Sequence, residues 1–115
     1  MSELRIEGIE WRGADDTSLR LEDGRVSGSG GINRLMGQYT LTGDELSFGM
    51  LATTMMAGPP ERMEAEQRFL AALGAVARWS AVAADEPETG VSLVLGDEDG
   101  VELLRFEAEL PAEGA

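Results

Sequence analysis

The segment spanning residues 28–39, Gly-Ser-Gly-Gly-Ile-Asn-Arg-Leu-Met-Gly-Gln-Tyr, constrains the fold of this chain more than any other. Its four glycines, one asparagine and one tyrosine lie between two short apolar stretches. Glycines in such a place adopt positive φ or let a second backbone approach closely, and an asparagine side chain hydrogen-bonds the backbone of a bend. The segment therefore predicts a fixed bend between two strands, held by Asn33.

Composition excludes several classes of chemistry. The chain has 115 residues, 43% of them hydrophobic, which predicts one globular domain with a single core. It contains no cysteine and no histidine. Thiolate nucleophiles and disulfides are thereby excluded, and the commonest general base and transition-metal ligand are missing. We therefore expect no catalytic residue, no metal site and no cofactor.

The chain is strongly acidic. Its 22 acidic and nine basic residues give a formal net charge of −13, and every basic residue is an arginine. Because a negative field repels phosphate backbones, we expect no nucleic-acid partner. No segment approaches the roughly 20 apolar residues of a membrane span, and no apolar run of signal-peptide length follows the first residues. We expect a cytoplasmic protein without a membrane span, either a monomer or a weak homodimer.

Alternating polar and apolar residues predict a series of short β-strands. In the first strand the alternation changes phase at Gly8, as it does at a β-bulge. Asp23-Gly24 and residues 96–100 are turn signals between neighbouring strands. Because nearly all the links are short, the strands should pair antiparallel. The predicted strands cover residues 4–11, 19–22, 25–27, 38–41, 45–48, 91–95 and 101–110.

One helix is predicted from the two prolines at positions 59 and 60, because proline is favoured in a first helical turn. Apolar residues then recur at three- and four-residue steps, which gives the helix one apolar stripe. Gly74 either ends the helix or lies inside it, and residues 78–82 form either the helix end or a strand. The stripe consists of Met63, Phe69, Leu70, Leu73 and Val76.

These elements predict an α+β fold, a curved antiparallel β-sheet of about six to eight strands packed against a single α-helix. The acidic stretch at residues 83–90 is predicted to be a loop. A single domain at residues 1–110 should be followed by a disordered tail at residues 111–115.

A set of short motifs follows in order along residues 9–108. They are Trp11, Val26-Ser27-Gly28, Gly31-Ile32-Asn33-Arg34, Gly37-Gln38-Tyr39, Thr54-Met55-Met56-Ala57-Gly58, Glu66-Gln67-Arg68-Phe69-Leu70, Leu93-Val94-Leu95, Gly100 and Leu104-Arg105-Phe106. In this order and spacing they resemble the META domain, the HslJ-like family of a heat-inducible bacterial envelope protein.

The resemblance implies the family's fold and a link to stress response, and it brings no generally established catalytic residue. The family motifs carry two cysteines, and Ile32 and Gly58 occupy those positions here. Loss of both together implies that the two positions are neighbours, with an apolar residue and a glycine filling the vacated space. Family members are often exported, whereas a cytoplasmic setting is expected for this chain.

Three residues near the bend are candidate contacts for a ligand or partner. Asn33 is expected mainly to hydrogen-bond the backbone of the bend, and ligand contact is the alternative. Arg34 either pairs with an acidic neighbour or stays exposed. Tyr39 is expected in the core with its hydroxyl at the edge.

Methionines near the start of the helix supply two further candidate contacts, Met55 and Met56. With Met50 and Met63, they are expected to fill the gap between helix and sheet. In the alternative they form an exposed loop that binds an apolar peptide or a lipid tail. The acidic residues 97–99 lack the spacing of an EF-hand, so a solvated turn is expected there rather than a Ca²⁺ site.

Together these features predict a non-enzymatic META-type domain, with a stress-related role implied by the resemblance, that binds an unidentified protein or a small apolar ligand. One alternative is a structural module that self-associates and has no small ligand. A minor alternative is a hydrolase that works with a pair of carboxylates, since the acidic residues offer many chances for two to meet.

Overall fold

The computed structural model describes residues 6–83 and 90–109 and contains nine strands and one helix in that part of the chain. The helix lies between the sixth and seventh strands. The elements are β1 Glu10–Arg12, β2 Thr17–Glu22, β3 Arg25–Gly30, β4 Arg34–Thr42, β5 Glu45–Phe48, β6 Ala52–Thr53, α1 Pro60–Ala75, β7 Arg78–Ala83, β8 Gly90–Gly96 and β9 Glu102–Glu109.

All strand pairs are antiparallel, and the sheet curves into a ring. The order β3-β2-β1-β9-β8-β7-β5-β4-β6 closes because β3 also pairs with β4. Two of the strand pairings that close the ring consist of a single residue pair each. Strands β1 and β9 pair only at Arg12 and Glu107, and β5 and β7 pair only at Glu45 and Arg78. The predicted fold class, a curved antiparallel sheet with a single helix, is confirmed.

The core lies inside the ring, where alternate strand residues point inward. Trp11 is completely buried, and its indole nitrogen donates a hydrogen bond to the carbonyl oxygen of Ile6 at 2.9 Å. Helix α1 contacts β3, β5 and β9. It adds Phe69 and Leu73 to the buried cluster, and Val76, which follows the end of the helix, is also buried there. The predicted apolar stripe therefore covers the core from Phe69 onward, whereas Met63, its first member, is exposed.

Several element boundaries differ from the sequence prediction. The first strand is only three residues long, because Gly8 adopts φ +77° and a turn precedes the strand. Residues 78–82, left open between helix and strand, belong to β7. Gly74 lies inside α1, which ends at Ala75. The predicted loop at 83–90 lies largely outside the described residues, as does the predicted tail at 111–115.

Candidate functional site

A buried polar cluster holds the glycine bend and joins three parts of the fold. We call it the Asn33–Glu66 cluster. The Glu66 Oε2 atom accepts hydrogen bonds from the backbone nitrogens of Ile32 at 3.0 Å and Asn33 at 2.6 Å. The Asn33 Nδ2 atom donates to Glu66 Oε1 at 2.7 Å and to the carbonyl oxygen of Met56 at 3.2 Å. Asn33 Oδ1 accepts from Thr54 Oγ1 at 2.9 Å and from the backbone nitrogen of Met56 at 2.6 Å. The cluster therefore ties the β3–β4 bend to α1 and to the segment after β6.

The Glu66 carboxylate is ionised within this cluster. Burial alone raises the pKa of Glu66, but the hydrogen bonds from Asn33 and Ile32 outweigh burial and hold that pKa below its ordinary value. Both carboxylate oxygens already accept hydrogen bonds from fixed protein groups. A carboxylate in this state is a poor proton donor and has little freedom to engage a substrate.

The sequence prediction missed Glu66 as the partner of the bend. Its helical position supplied a signal, because Glu66 precedes Phe69 by three residues and Leu73 by seven and so falls on the apolar stripe. A charged residue at such a position needs a buried partner. Gly30 leaves space for the Glu66 side chain, because a Cβ atom at this position would lie only 2.8 Å from Glu66 Cγ and Oε2.

Ile32 and Gly58 lie in contact, as the family resemblance implied. A Cβ atom built on Gly58 would lie 2.9 Å from Ile32 Cδ1 and 3.3 Å from Ile32 Cγ1. The larger isoleucine thus occupies space beside a residue that has no side chain. Such a small-with-large pair fills the volume that two smaller side chains would share.

Tyr39 lies in the core with its hydroxyl at the edge. Its side chain is buried, and the hydroxyl donates a hydrogen bond to the Glu7 carboxylate. Burial, together with that hydrogen bond, raises the pKa of Tyr39 to about 12. The neighbouring candidate, Arg34, is exposed on β4.

The methionines do not fill the gap between helix and sheet, and that expectation was wrong. Met50 is 95% exposed and Met55 is 93% exposed. Met56 and Met63 are also exposed. The backbone of Met56 is held by Asn33, so its position is fixed while its side chain faces outward. An exposed methionine loop, the alternative in the sequence prediction, is what the fold contains.

The acidic run after β8 forms a hydrogen-bonded turn. The Asp97 carboxylate accepts from the backbone nitrogens of Asp99 at 2.9 Å and Val101 at 3.0 Å. Within residues 6–83 and 90–109, no group of three or more acidic side chains is arranged to hold a metal ion.

A groove of about 840 Å³ runs along α1 between two parts of the sheet. Its floor contains Phe69 of α1 and Phe106 of β9, whose rings meet edge to face with centroids 6.0 Å apart. The small side chains of Ala65 and Ala72 leave the space open on the helix side. We call it the α1–β9 groove. Its remaining lining comes from residues 14–17, 30–31, 61–62, 68 and 103–105.

Comparison with known proteins identifies the family. The family model of the META domain matches residues 3–110, nearly the whole chain. The chain belongs to the META domain family. Among solved structures, the NMR structure of a protein from Burkholderia xenovorans is similar, with a TM-score of 0.68 and 24% sequence identity. The similarity covers 92% of this chain and 85% of that one, and it concerns the fold. No curated protein matches the chain.

The candidate residues of this META domain do not converge on one site. Asn33 and the backbone of Met56 meet in the Asn33–Glu66 cluster, whereas Tyr39 binds Glu7 and the side chains of Arg34 and Met55 face solvent. None of the five lines the α1–β9 groove. Asn33 and the backbone of Met56 thus hold the bend in place, and the groove, which Gly30 and Gly31 of the same bend help to line, is a separate surface.

Proposed function

We propose that this META domain is a non-enzymatic binding module that takes an apolar part of a protein or small molecule into the α1–β9 groove. One observation carries the proposal: a groove of about 840 Å³ has an aromatic floor, Phe69 and Phe106, and two alanines where larger residues would close it. Ligand sites are commonly concavities of about 300–1,000 Å³ with mainly apolar walls and a few polar groups. The groove falls within this range of volume and has an aromatic floor, and six of its sixteen lining residues are charged.

The state of Glu66 favours binding over catalysis. Acid–base hydrolysis needs two carboxylates in a cleft, one of which keeps its proton. Across residues 6–83 and 90–108, Glu66 is the one buried carboxylate, and its pKa is lowered. Its oxygens are occupied by Ile32 and Asn33, which leaves it a structural role.

Two alanine-to-tryptophan variants test the groove with a matched pair. Ala72 lines the groove, and Ala71 is the adjacent exposed residue on the same helix. The neutral fluorescent probe N-phenyl-1-naphthylamine should bind wild type and Ala71→Trp alike and should lose about tenfold or more in affinity for Ala72→Trp. Thermal melts establish that both variants fold. Equal binding to the two variants would refute the groove as the site.

The physiological part of the proposal rests on the family resemblance. We propose a stress-related role in the cytoplasm, with a natural ligand retained through gentle purification. Native mass spectrometry of the protein from its own host should detect added mass that Ala72→Trp lacks. Protein abundance before and after heat shock, with fractionation of the cells, tests the stress role and the location. Bare protein together with unchanged abundance would contradict this part.

Self-association is the second candidate, and the edge of β7 favours it. Strand β7 pairs with β8 from Arg78 to Ala83 but with β5 only at Arg78. Within the described part of the chain, residues 80–83 therefore expose an unpaired strand edge that carries the exposed Val82. Such edges pair readily with a second chain. Sedimentation should show a concentration-dependent dimer that Val82→Lys abolishes, and a monomer at every concentration would eliminate this candidate.

A further inference from the structure

We propose that the occupant of the α1–β9 groove is an extended peptide segment that adds as a strand to the edge of β9 and places a carboxylate against Arg68. This inference rests on the proposed binding function and specifies its ligand class. Three independent features support it: the edge of β9, the length of the groove and the distribution of its charges.

The edge of β9 is open where it borders the groove. Strand β9 pairs with β8 along its length but with β1 only at Glu107. The chain after Arg12 turns away at residues 14–17 instead of continuing beside β9. In the described residues, the edge of β9 from residue 102 to residue 106 therefore has no strand partner.

The lining of the groove indicates that this edge faces it. Leu103, Leu104, Arg105 and Phe106 are consecutive, and all four line the groove. Leu103 lies at a register shift in the pairing of β9 with β8, but Leu104, Arg105 and Phe106 alternate regularly. Because alternate side chains of a strand point to opposite faces, three such consecutive residues share one groove when it borders the edge of the strand. Backbone donors and acceptors on such an edge are satisfied by an added strand.

The length of the groove fits a short extended segment. On α1 the groove extends from Glu61 to Ala72, and eleven residues of helix cover about 16 Å. An extended chain rises about 3.3 Å per residue, so this length accommodates roughly five residues. Phe69 and Phe106 lie within this span but are only 7% and 1% exposed. The partly buried Leu103 and Leu104 beside them offer apolar surface to a side chain of the segment.

The charges of the groove are divided along its length. At the N-terminal end of α1, Arg62 is already paired with Asp16 at 3.0 Å. Asp15 and Glu61 line the same end. Arg105 pairs with Glu102, which leaves Arg68 as the groove arginine without an ion pair among the described residues. Arg68 lies about 10 Å along the helix from Glu61, away from the acidic end of the groove. Its guanidinium can therefore bind a carboxylate of the bound segment.

The test uses the full chain and peptides selected from a displayed library of random heptapeptides. Binding of a selected peptide, followed by fluorescence anisotropy, should weaken about tenfold or more in Ala72→Trp and remain unchanged in Ala71→Trp. Methylating every second backbone nitrogen of the peptide removes its donors on one edge. One of the two methylated sets should abolish binding and the other should preserve it, because only one edge of an added strand pairs with β9.

Arg68→Gln provides the charge test. Its affinity should fall several-fold for peptides with a carboxylate and stay constant for the same peptides with that group amidated. The strand proposal is overturned if no selected peptide loses binding in Ala72→Trp, or if both methylated sets bind as well as the parent. Loss of N-phenyl-1-naphthylamine binding in Ala72→Trp would still support the groove, so failure of the peptide proposal is distinguishable from failure of the binding function.

Discussion

Replacing Glu66 with glutamine should destabilise the fold well beyond the effect of removing one surface charge. The substitution keeps the size of the side chain and changes only its hydrogen bonding and charge. In the wild type, Glu66 accepts three hydrogen bonds from Ile32 and Asn33, at 3.0, 2.6 and 2.7 Å. Glutamine offers one acceptor oxygen and an NH2 group that can only donate, so it cannot accept all three. Asn33 cannot reverse its amide to compensate, because its oxygen already binds Thr54 and Met56.

The magnitude follows from these bonds. A buried donor left facing another donor costs about 1–3 kcal/mol, and loss of charge weakens the remaining hydrogen bonds by about 1 kcal/mol each. Relief of carboxylate desolvation offsets part of this cost. We expect Glu66→Gln to lower the free energy of unfolding by about 2–4 kcal/mol, a large share of the roughly 5–15 kcal/mol of a typical domain.

Urea denaturation followed by circular dichroism measures this loss. Glu64→Gln is the matched control, because Glu64 is exposed on the same helix and its substitution changes the net charge equally. The control should remain within about 0.5 kcal/mol of wild type. If the two variants are equally stable, the Asn33–Glu66 cluster does not hold the bend as we infer.

The pH dependence of the unfolding free energy provides a second test of the difference between wild type and Glu66→Gln. The pKa of Glu66 is lower in the folded chain than in the unfolded chain. Its stabilising contribution is therefore complete above the unfolded pKa, about 4.3, and is lost as the pH falls through the folded pKa. The difference between wild type and Glu66→Gln should be full at neutral pH and should shrink under acid conditions. A difference that stays constant across the acid range would contradict the assigned ionisation.

The remaining predictions concern five other positions. The single tyrosine of the chain, Tyr39, should titrate in ultraviolet absorbance near pH 12 when folded and near about 10 in urea. Because folding raises the pKa of Tyr39, wild type should lose stability relative to Tyr39→Phe as the pH rises from about 10 to about 12. A titration midpoint near pH 10 in the folded protein would refute the buried hydrogen bond. The double variant Ile32→Cys and Gly58→Cys should form an internal disulfide, seen as a loss of two hydrogens in intact mass, and two persistently free thiols under oxidising conditions would show that the pair is misplaced. Gly31→Val should destabilise the fold, because Gly31 adopts φ +112°, whereas Gly74→Ala in open space within α1 should stabilise it by about 0.5–1 kcal/mol. Thermal melts of both glycine variants decide this, and the reverse order would refute the bend geometry.

Local patterns predicted the elements well. The alternation of polar and apolar residues located most strands, and the prolines at positions 59 and 60 located the start of α1. The sequence could not establish that the sheet closes into a ring. That closure depends on the pairs Arg12–Glu107 and Glu45–Arg78, which join strands distant in the chain. Length and alternation carry no information about such partners.

The candidate site was harder to predict, for a physical reason. Asn33 could be assigned to the bend because its side chain has a strong local preference. The role of Glu66 depends on the helix meeting that bend, 33 positions away in the sequence. The apolar chemistry of the methionines favours burial, but Met50, Met55 and Met56 lie in segments on either side of β6 and Met63 lies on the exposed side of α1, all outside the core. A groove made by small residues such as Ala65 and Ala72 leaves almost no sequence signal.

NMR measurements can locate the binding surface of this META domain, which we propose is the α1–β9 groove. We would titrate ¹⁵N-labelled full-length protein with N-phenyl-1-naphthylamine and record the backbone amide shifts. We expect the largest shifts at Ala65, Phe69, Ala72 and residues 103–106. Shifts concentrated at Arg34, Met55 and Met56, with the groove unchanged, would contradict it and return the site to the exposed methionine loop.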